Sequence, residues 1–208
     1  MRLTARGLRE RALLDRRSDR LARELLEALS TRQQERLLAA MDEVERLLSA
    51  SQITIAVEDP ESADARWCVA RYYEEIGRRF ERGFDAGRAR QIGFDEMRPP
   101  RGAFLLARLR GRPVGCAILW LPPGQPAEVK RMWVAPEARG LGLARRLLSE
   151  VEGRAARAGA ALLHLDTNRA LVEAIALYRQ SGFVEVAPFN DEPHAHHWFE
   201  KRLSPRAR

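Results

Sequence analysis

The chain is short of cysteine, of lysine and of long hydrophobic runs, and each shortage removes a class of protein from consideration. Cys68 and Cys116 are the only cysteines, they lie far apart in the sequence, and neither belongs to a Cys-x-x-Cys pair. Neither a disulfide framework nor a structural zinc site is therefore expected, and both thiols are read as reduced and packed. No apolar run approaches the ~20 residues that cross a bilayer, and Met1-Arg2-Leu3-Thr4-Ala5-Arg6 has no apolar signal-peptide core. A cytoplasmic protein without membrane association is the expectation. Lys130 and Lys201 are the only lysines, so the formal charge of +7 is carried by arginine scattered along the whole chain. Residues 1–50 hold 11 Arg against 9 Asp plus Glu, an excess of only 2, so the charge is not gathered at one end. Binding to a phosphate backbone calls for a basic stripe interleaved with aromatics. None is visible, and the charge is read as a compositional bias.

What is present suffices for one core. With 208 residues and 45% hydrophobic content, the chain accommodates one catalytic domain and a small appendage. Thr4 is placed to cap a helix running through Leu8, Ala12, Leu21, Leu25 and Leu29. Ser30 and Gln33 have the spacing of a capping box. Leu37, Met41, Val44 and Leu48 then recur at helical steps, which predicts a second amphipathic helix over Thr31 to Leu48. Two leucine-striped helices with no core of their own must bury those stripes against the rest of the chain or against a second copy.

The remainder alternates strand and helix. Ile53 to Val57 alternates in the manner of a strand, and Ala65, Val69, Tyr72, Ile76 and Phe80 fit one helix face that Gly83 closes. Asp85 to Arg101 reads as an irregular loop. Ala103 to Leu109 and Val114 to Leu121 are β-rich runs joined by the turn Arg110-Gly111-Arg112-Pro113, with a third strand over Ala127 to Ala135. A helix from Leu141 to Ala158, a strand over Ala161 to Leu165, a helix from Ala170 to Gln180 and strands at 183–186 and 195–203 complete the order. The expectation is an α+β fold, a mixed and mostly antiparallel sheet with helices on both faces, preceded by a two-helix arm.

The chemistry gathers where Arg139-Gly140-Leu141-Gly142-Leu143-Ala144 follows a strand and opens a helix. Small residues there let successive backbone N–H groups approach a bound anion, which suits a pyrophosphate. Alone, a glycine pair at a helix start is as readily an ordinary tight turn. It stands, however, between Glu128-Val129-Lys130-Arg131-Met132-Trp133-Val134 upstream and Asn168 with Tyr178-Arg179-Gln180-Ser181-Gly182-Phe183 downstream. In that order the parts closely resemble the GNAT superfamily of N-acetyltransferases, whose acyl-CoA motif Arg/Gln-x-x-Gly-x-Gly/Ala is filled here by Arg139, Gly142 and Ala144. The likeness spans residues 53–204. Residues 1–50 in turn resemble the last two helices of MarR-type regulators, through Leu3-Thr4-Ala5-Arg6-Gly7, Leu14-Asp15-Arg16-Arg17-Ser18-Asp19 and the Leu29 to Leu48 helix. The winged helix-turn-helix that precedes those helices in the regulators is missing from this sequence, so DNA binding is not expected.

The GNAT resemblance implies acetyl-CoA as co-substrate, an amine as acceptor and no metal. It implies that Met132, Trp133 and Val134 hold the pantetheine arm, that a splay near His164-Leu165-Asp166 admits the thioester, and that the amides of Arg139, Gly140, Leu141, Gly142, Leu143 and Ala144 bind the pyrophosphate. It further implies that Asn168 lies near the pantetheine and that Tyr178 protonates the departing thiolate. The MarR resemblance implies a homodimer through the first two helices. Glu128 is the first candidate for the base that deprotonates the amine, or else a strand carboxylate paired with Lys130. Tyr178 has the alternative of a packed core tyrosine, and Asn168 that of a helix cap. Asn190 and the cluster His194, His196 and His197 are candidates for the acceptor pocket or the sheet edge, with a histidine as second-choice base. No carboxylate or cysteine stands at a ligand spacing from those histidines, so no metal is assigned. The leading expectation is acetyl transfer to a small or amino-acid-like amine. Acetylation of a protein amino terminus or lysine, and a non-catalytic acyl-CoA sensor, are the alternatives.

Overall fold

The computed structural model describes residues 4–81, 83–85 and 87–204. The chain divides into two compact units, Met1–Leu48 and Ser49–Arg208. Helix α1 spans Ala5–Glu27 and α2 spans Thr31–Ser51. Thr4 caps α1 through its hydroxyl, which accepts from the Gly7 amide at 3.1 Å. Gln33 reaches back to the Ser30 amide at 2.9 Å, one half of the expected capping box. The Ser30 hydroxyl turns to the same Gln33 oxygen instead of capping an amide. Gln34 fastens the turn between the helices by donating to the carbonyls of Leu26 and Leu29. Neither helix buries a single residue, and Leu21, Leu25, Met41 and Val44 all lie exposed.

The second unit is built on a seven-stranded sheet in the order β1-β2-β3-β4-β5-β7-β6. Its strands are β1 Ile53–Glu58, β2 Gly102–Leu109, β3 Arg112–Trp120, β4 Ala127–Val134, β5 Leu162–Thr167, β6 Val184–Val186 and β7 His197–Arg202. All neighbours are antiparallel except β4 and β5. Helices α3 (Ala63–Arg79), α4 (Leu143–Arg157) and α5 (Val172–Gln180) cover the two faces. Strands β2 and β3 carry unbroken apolar runs and are buried along most of their length, which a strand tolerates only when both of its faces are covered. The β2–β3 turn has Arg110 at φ 51° and Gly111 at φ 81°, the two positive angles of a type I′ hairpin.

Helix α4 lays Leu143, Leu147, Leu148, Val151 and Ala155 against the sheet as one stripe. Its approach is close because Gly115 on β3 has no side chain: a Cβ there would stand 2.8 Å from the Trp133 carbonyl and 3.3 Å from the Leu143 side chain. The helix begins at Leu143, two residues later than the sequence suggests, because Gly140 and Gly142 both adopt left-handed angles that a helix cannot include. Short 3₁₀ turns at Phe94–Met97, inside the expected loop, and at Pro136–Ala138 were not anticipated, nor was the insertion of β7 between β5 and β6. Among the described residues, no helix is long and apolar enough to cross a membrane.

Candidate active site

The site starts from a failure of strand pairing. β4 and β5 run side by side at Ala127–Leu163 and Glu128–His164 and then part, although β4 continues to Val134 and β5 to Thr167. Backbone groups in such a gap have lost their ladder partners and must be satisfied by something else. β4 is also bulged: Cys116 pairs with Trp133 and Ile118 with Lys130, so Ala117 alone faces both Arg131 and Met132. Arg131 takes up the extra length with φ 46°, a left-handed angle that costs a side-chain-bearing residue about 1–2 kcal/mol.

Two cavities adjoin this gap. The larger, of about 640 Å³, includes Met132, Trp133, Val134, Arg139, Gly140 and Leu143 in its walls. Gly142 and Ala144 line it too, whereas Leu141 does not. A Cβ added at Gly142 would project into open space, and the first turn of α4 has no acidic residue, so the helix N-terminus offers bare amides to an anion. Ion pairs from α3 span this cavity. Glu75 accepts from Trp133 Nε1 at 2.8 Å and from Arg139 at 2.6 Å, while Arg79 reaches both Glu173 and the Ala170 carbonyl at 2.7 Å. Burial works to raise the Glu75 pKa, but the Trp133 and Arg139 contacts outweigh it and hold the carboxyl below its ordinary range.

The smaller cavity, of about 120 Å³, lies on the side of Tyr178, Asp166, Phe84, Ala89, Arg90 and Ile92. Tyr72, Met132, Leu171 and Ala174 line both cavities, so the two adjoin across a single layer of side chains. Tyr178 and Tyr72 are held as phenols: burial raises both pKa values, and the charge of Asp166 pushes in the same direction. Asp166 is bonded to Lys130, which also stands 2.8 Å from Glu128. Burial works to lower the Lys130 pKa, and the two carboxylates outweigh it, so the ammonium stays charged.

The sequence-derived candidates separate on this geometry. Tyr178 and Asn168 line the smaller cavity, and Asn168 also acts as the expected cap, accepting from the Ala170 amide at 2.9 Å and donating to the His194 carbonyl at 2.7 Å. Glu128 lines neither cavity, because it lies where β4 is still paired with β5 and its buried carboxylate turns to Lys130. The carboxylate that does line the smaller cavity is Asp166, two residues along β5 from the last paired position. Asn190 tethers the loop that precedes β7 by accepting from Trp198 Nε1 at 2.8 Å and contacts Asp166 only at 3.5 Å. His196 and His197 line neither cavity, and His197 is bonded to Glu185 at 2.6 Å; the histidine at the smaller cavity is His194. Among the described residues, no group of three or more His, Cys, Asp or Glu is arranged to hold a metal ion. The two cysteines, distant in sequence, meet in space, and the Cys116 thiol donates to the Arg131 carbonyl at the bulge.

Comparison with known proteins bears on the same region. The profile of the acetyltransferase (GNAT) family matches residues 67–183. An IAA acetyltransferase of Azospirillum brasilense is 38% identical over 138 residues, which is 66% of this chain and 88% of the relative. A GNAT-family acetyltransferase structure from Staphylococcus aureus superposes with a TM-score of 0.61 at 18% identity, covering 73% of this chain and 99% of that one. Another from Elizabethkingia anophelis, with acetyl-CoA bound, superposes with a TM-score of 0.51 at 16% identity and covers 73% of this chain and 99% of its own. The matched segment takes in β4, the glycine loop, α4, β5 and α5 and stops short of the first two helices. With a gap in its sheet, a glycine cradle and that match in hand, the chain belongs to the acetyltransferase (GNAT) family.

Proposed function

We propose that this acetyltransferase moves an acetyl group from acetyl-CoA to the primary amine of a small or amino-acid-like acceptor, with both substrates bound together. One observation carries the proposal: two cavities meet across the β4–β5 gap, and the larger ends on the bare amides of the Gly140 to Leu143 turn. A long ligand with an anionic diphosphate fits the larger cavity, with the diphosphate at the α4 N-terminus and the arm along Met132, Trp133 and Val134. Acetyl-CoA supplies the activated thioester. The remaining work falls to the chain. The acceptor enters as an ammonium that must lose a proton, and at neutral pH an amine of pKa ~10 resists this by about 4 kcal/mol. Asp166 faces the acceptor cavity, where it holds the ammonium and takes its proton into a hydrogen-bond relay to solvent. Glu128 supports it from behind through Lys130. Unpaired β4 amides near Val134 stabilise the oxygen that gains charge during attack. Tyr178, kept protonated by burial, gives its proton to the departing sulfur.

A cavity of about 120 Å³ favours a small molecule over a protein segment as acceptor; an apolar cavity of about 150 Å³ holds one benzene. The exposed leucine stripes of α1 and α2 support dimerisation through this arm, in keeping with the likeness to MarR dimerisation helices. A single preparation tests both parts. Sedimentation at micromolar concentration is expected to give twice the chain mass. Calorimetry with CoASH is expected to show saturable heat, and a panel of small amines with acetyl-CoA is expected to release free thiol. Absence of heat with both CoASH and acetyl-CoA would sink the transferase proposal, and a monomer would sink the dimer.

A further inference from the structure

The arginines near the two cavities are treated differently. On the cofactor side, Arg79 is matched by Glu173 and Arg139 by Glu75, while Arg145 is held by the Gln180 side chain at 3.3 Å. On the acceptor side, Arg131 and Arg90 line the cavity, and among the described residues neither guanidinium has a carboxylate within ion-pairing distance. Each rests over an aromatic ring instead: Arg131 lies 5.7 Å from the Tyr73 ring centre and Arg90 4.2 Å from that of Trp120. Such stacking leaves the guanidinium edge, with its fork of N–H donors, unused.

Arg131 is the half-buried one, and it reaches the cavity by way of the bulge. In a regular strand alternate residues face opposite sides, yet Val129, Lys130, Arg131 and Met132 all line this cavity in succession. The left-handed residue at the bulge breaks the alternation, which is how a strained strand re-aims a side chain. The other charges at the cavity are Lys130 with Asp166, already paired, and Glu192, which accepts from the Arg90 amide. Carboxylates to meet an ammonium and unmatched guanidiniums to meet an anion therefore line one small space. Beside these charges stands an aromatic wall of Tyr73, Phe84 and His194, with neighbouring ring centres 5.4 and 4.7 Å apart.

We infer that the acceptor is an amine bearing a carboxylate, and that Arg131, assisted by Arg90 at the rim, is the residue that selects it. The inference rests on the acetyl-transfer proposal for which molecule is acetylated, but not for what the cavity binds. A carboxylate forms paired hydrogen bonds to a guanidinium fork, whereas the corresponding amide leaves the cation uncompensated. The test compares α- and ω-amino acids with their own primary amides. Binding to the CoASH-saturated protein is followed by calorimetry, and thiol release from acetyl-CoA is normalised to the free-amine fraction of each compound. The carboxylate member of the best pair is expected to lead its amide by at least tenfold in both readouts. Arg131→Asn, chosen because Asn tolerates a left-handed backbone, and Arg90→Gln are each expected to shrink that ratio, Arg131→Asn to near one. Equal preference in the unmodified protein, a ratio untouched by both variants, or no binding by any amino acid would overturn the inference. Arginine-dependent binding of amino acids without thiol release would uphold it and instead defeat the acetyl-transfer proposal.

Discussion

The two cavities that meet at the β4–β5 gap are made in different ways. The larger ends on a glycine turn and the amides of a helix start, with its arginines engaged by residues of α3 and α5; the smaller is lined by side chains from β4, β5, α3, α5 and two loops, with its arginines left without a carboxylate. A ligand common to a whole family can be held by amides that any sequence possesses, provided the turn is right. A ligand peculiar to one member has to be read by side chains.

The sharpest test of that division is removal of the acid. Tyr178→Phe keeps the ring and deletes only the proton donor, so kcat is expected to fall by ~10²–10⁴ while CoASH affinity from calorimetry stays put. Because burial raises the Tyr178 pKa, its donor form persists as pH rises. The unmodified enzyme is thus expected to gain activity from pH 7 towards pH 9, as the acceptor ammonium deprotonates, with no loss from phenol ionisation in that window. A rate that already falls over that range would contradict the assignment of Tyr178. A smaller effect is expected from Gly142→Val, which forces a β-branched residue to φ 72°. A cost of about 1–2 kcal/mol should weaken CoASH binding by roughly tenfold. The ranking of acceptors should not change, and a reordered ranking would show the two cavities to be less separate than their construction suggests. The mildest change is Glu75→Gln. It frees Arg139 from a partner that competes with an anionic ligand, so CoASH should bind about two- to fivefold more tightly, the effect fading in high salt. Weaker binding would mean that Glu75 positions Arg139 for the ligand.

How much of this was legible in the sequence follows the same line. The glycine turn and the strand before it were readable because they rest on local chemistry: a positive φ requires glycine, and a helix start exposes amides. Thr4 as a cap and a hairpin turn at Arg110-Gly111-Arg112-Pro113 were readable for the same reason. Glu128 kept two readings, base or partner of Lys130, because a strand's alternation gives no hint of where its neighbour leaves it; that point, just after Glu128 and His164, is fixed by long-range packing. Arg131 went unnoticed because no glycine or proline announces the bulge it sits in, and β7 joins the sheet between β5 and β6 through pairings no local pattern encodes. Of the histidine cluster only His194 lines the cavity; the strand face that would have joined it to His196 does not form, since β7 begins only at His197.

The layer of four side chains between the cavities sets a limit on redesign. Tyr72, Met132, Leu171 and Ala174 form a partition one residue thick, so under the proposed arrangement space added for a bulkier amine by trimming any of them is subtracted from the wall of the acetyl-CoA cavity. A change of acceptor size made there will register as a changed KM for acetyl-CoA. Residues on the far wall, such as Phe84 and His194, can be altered without that exchange.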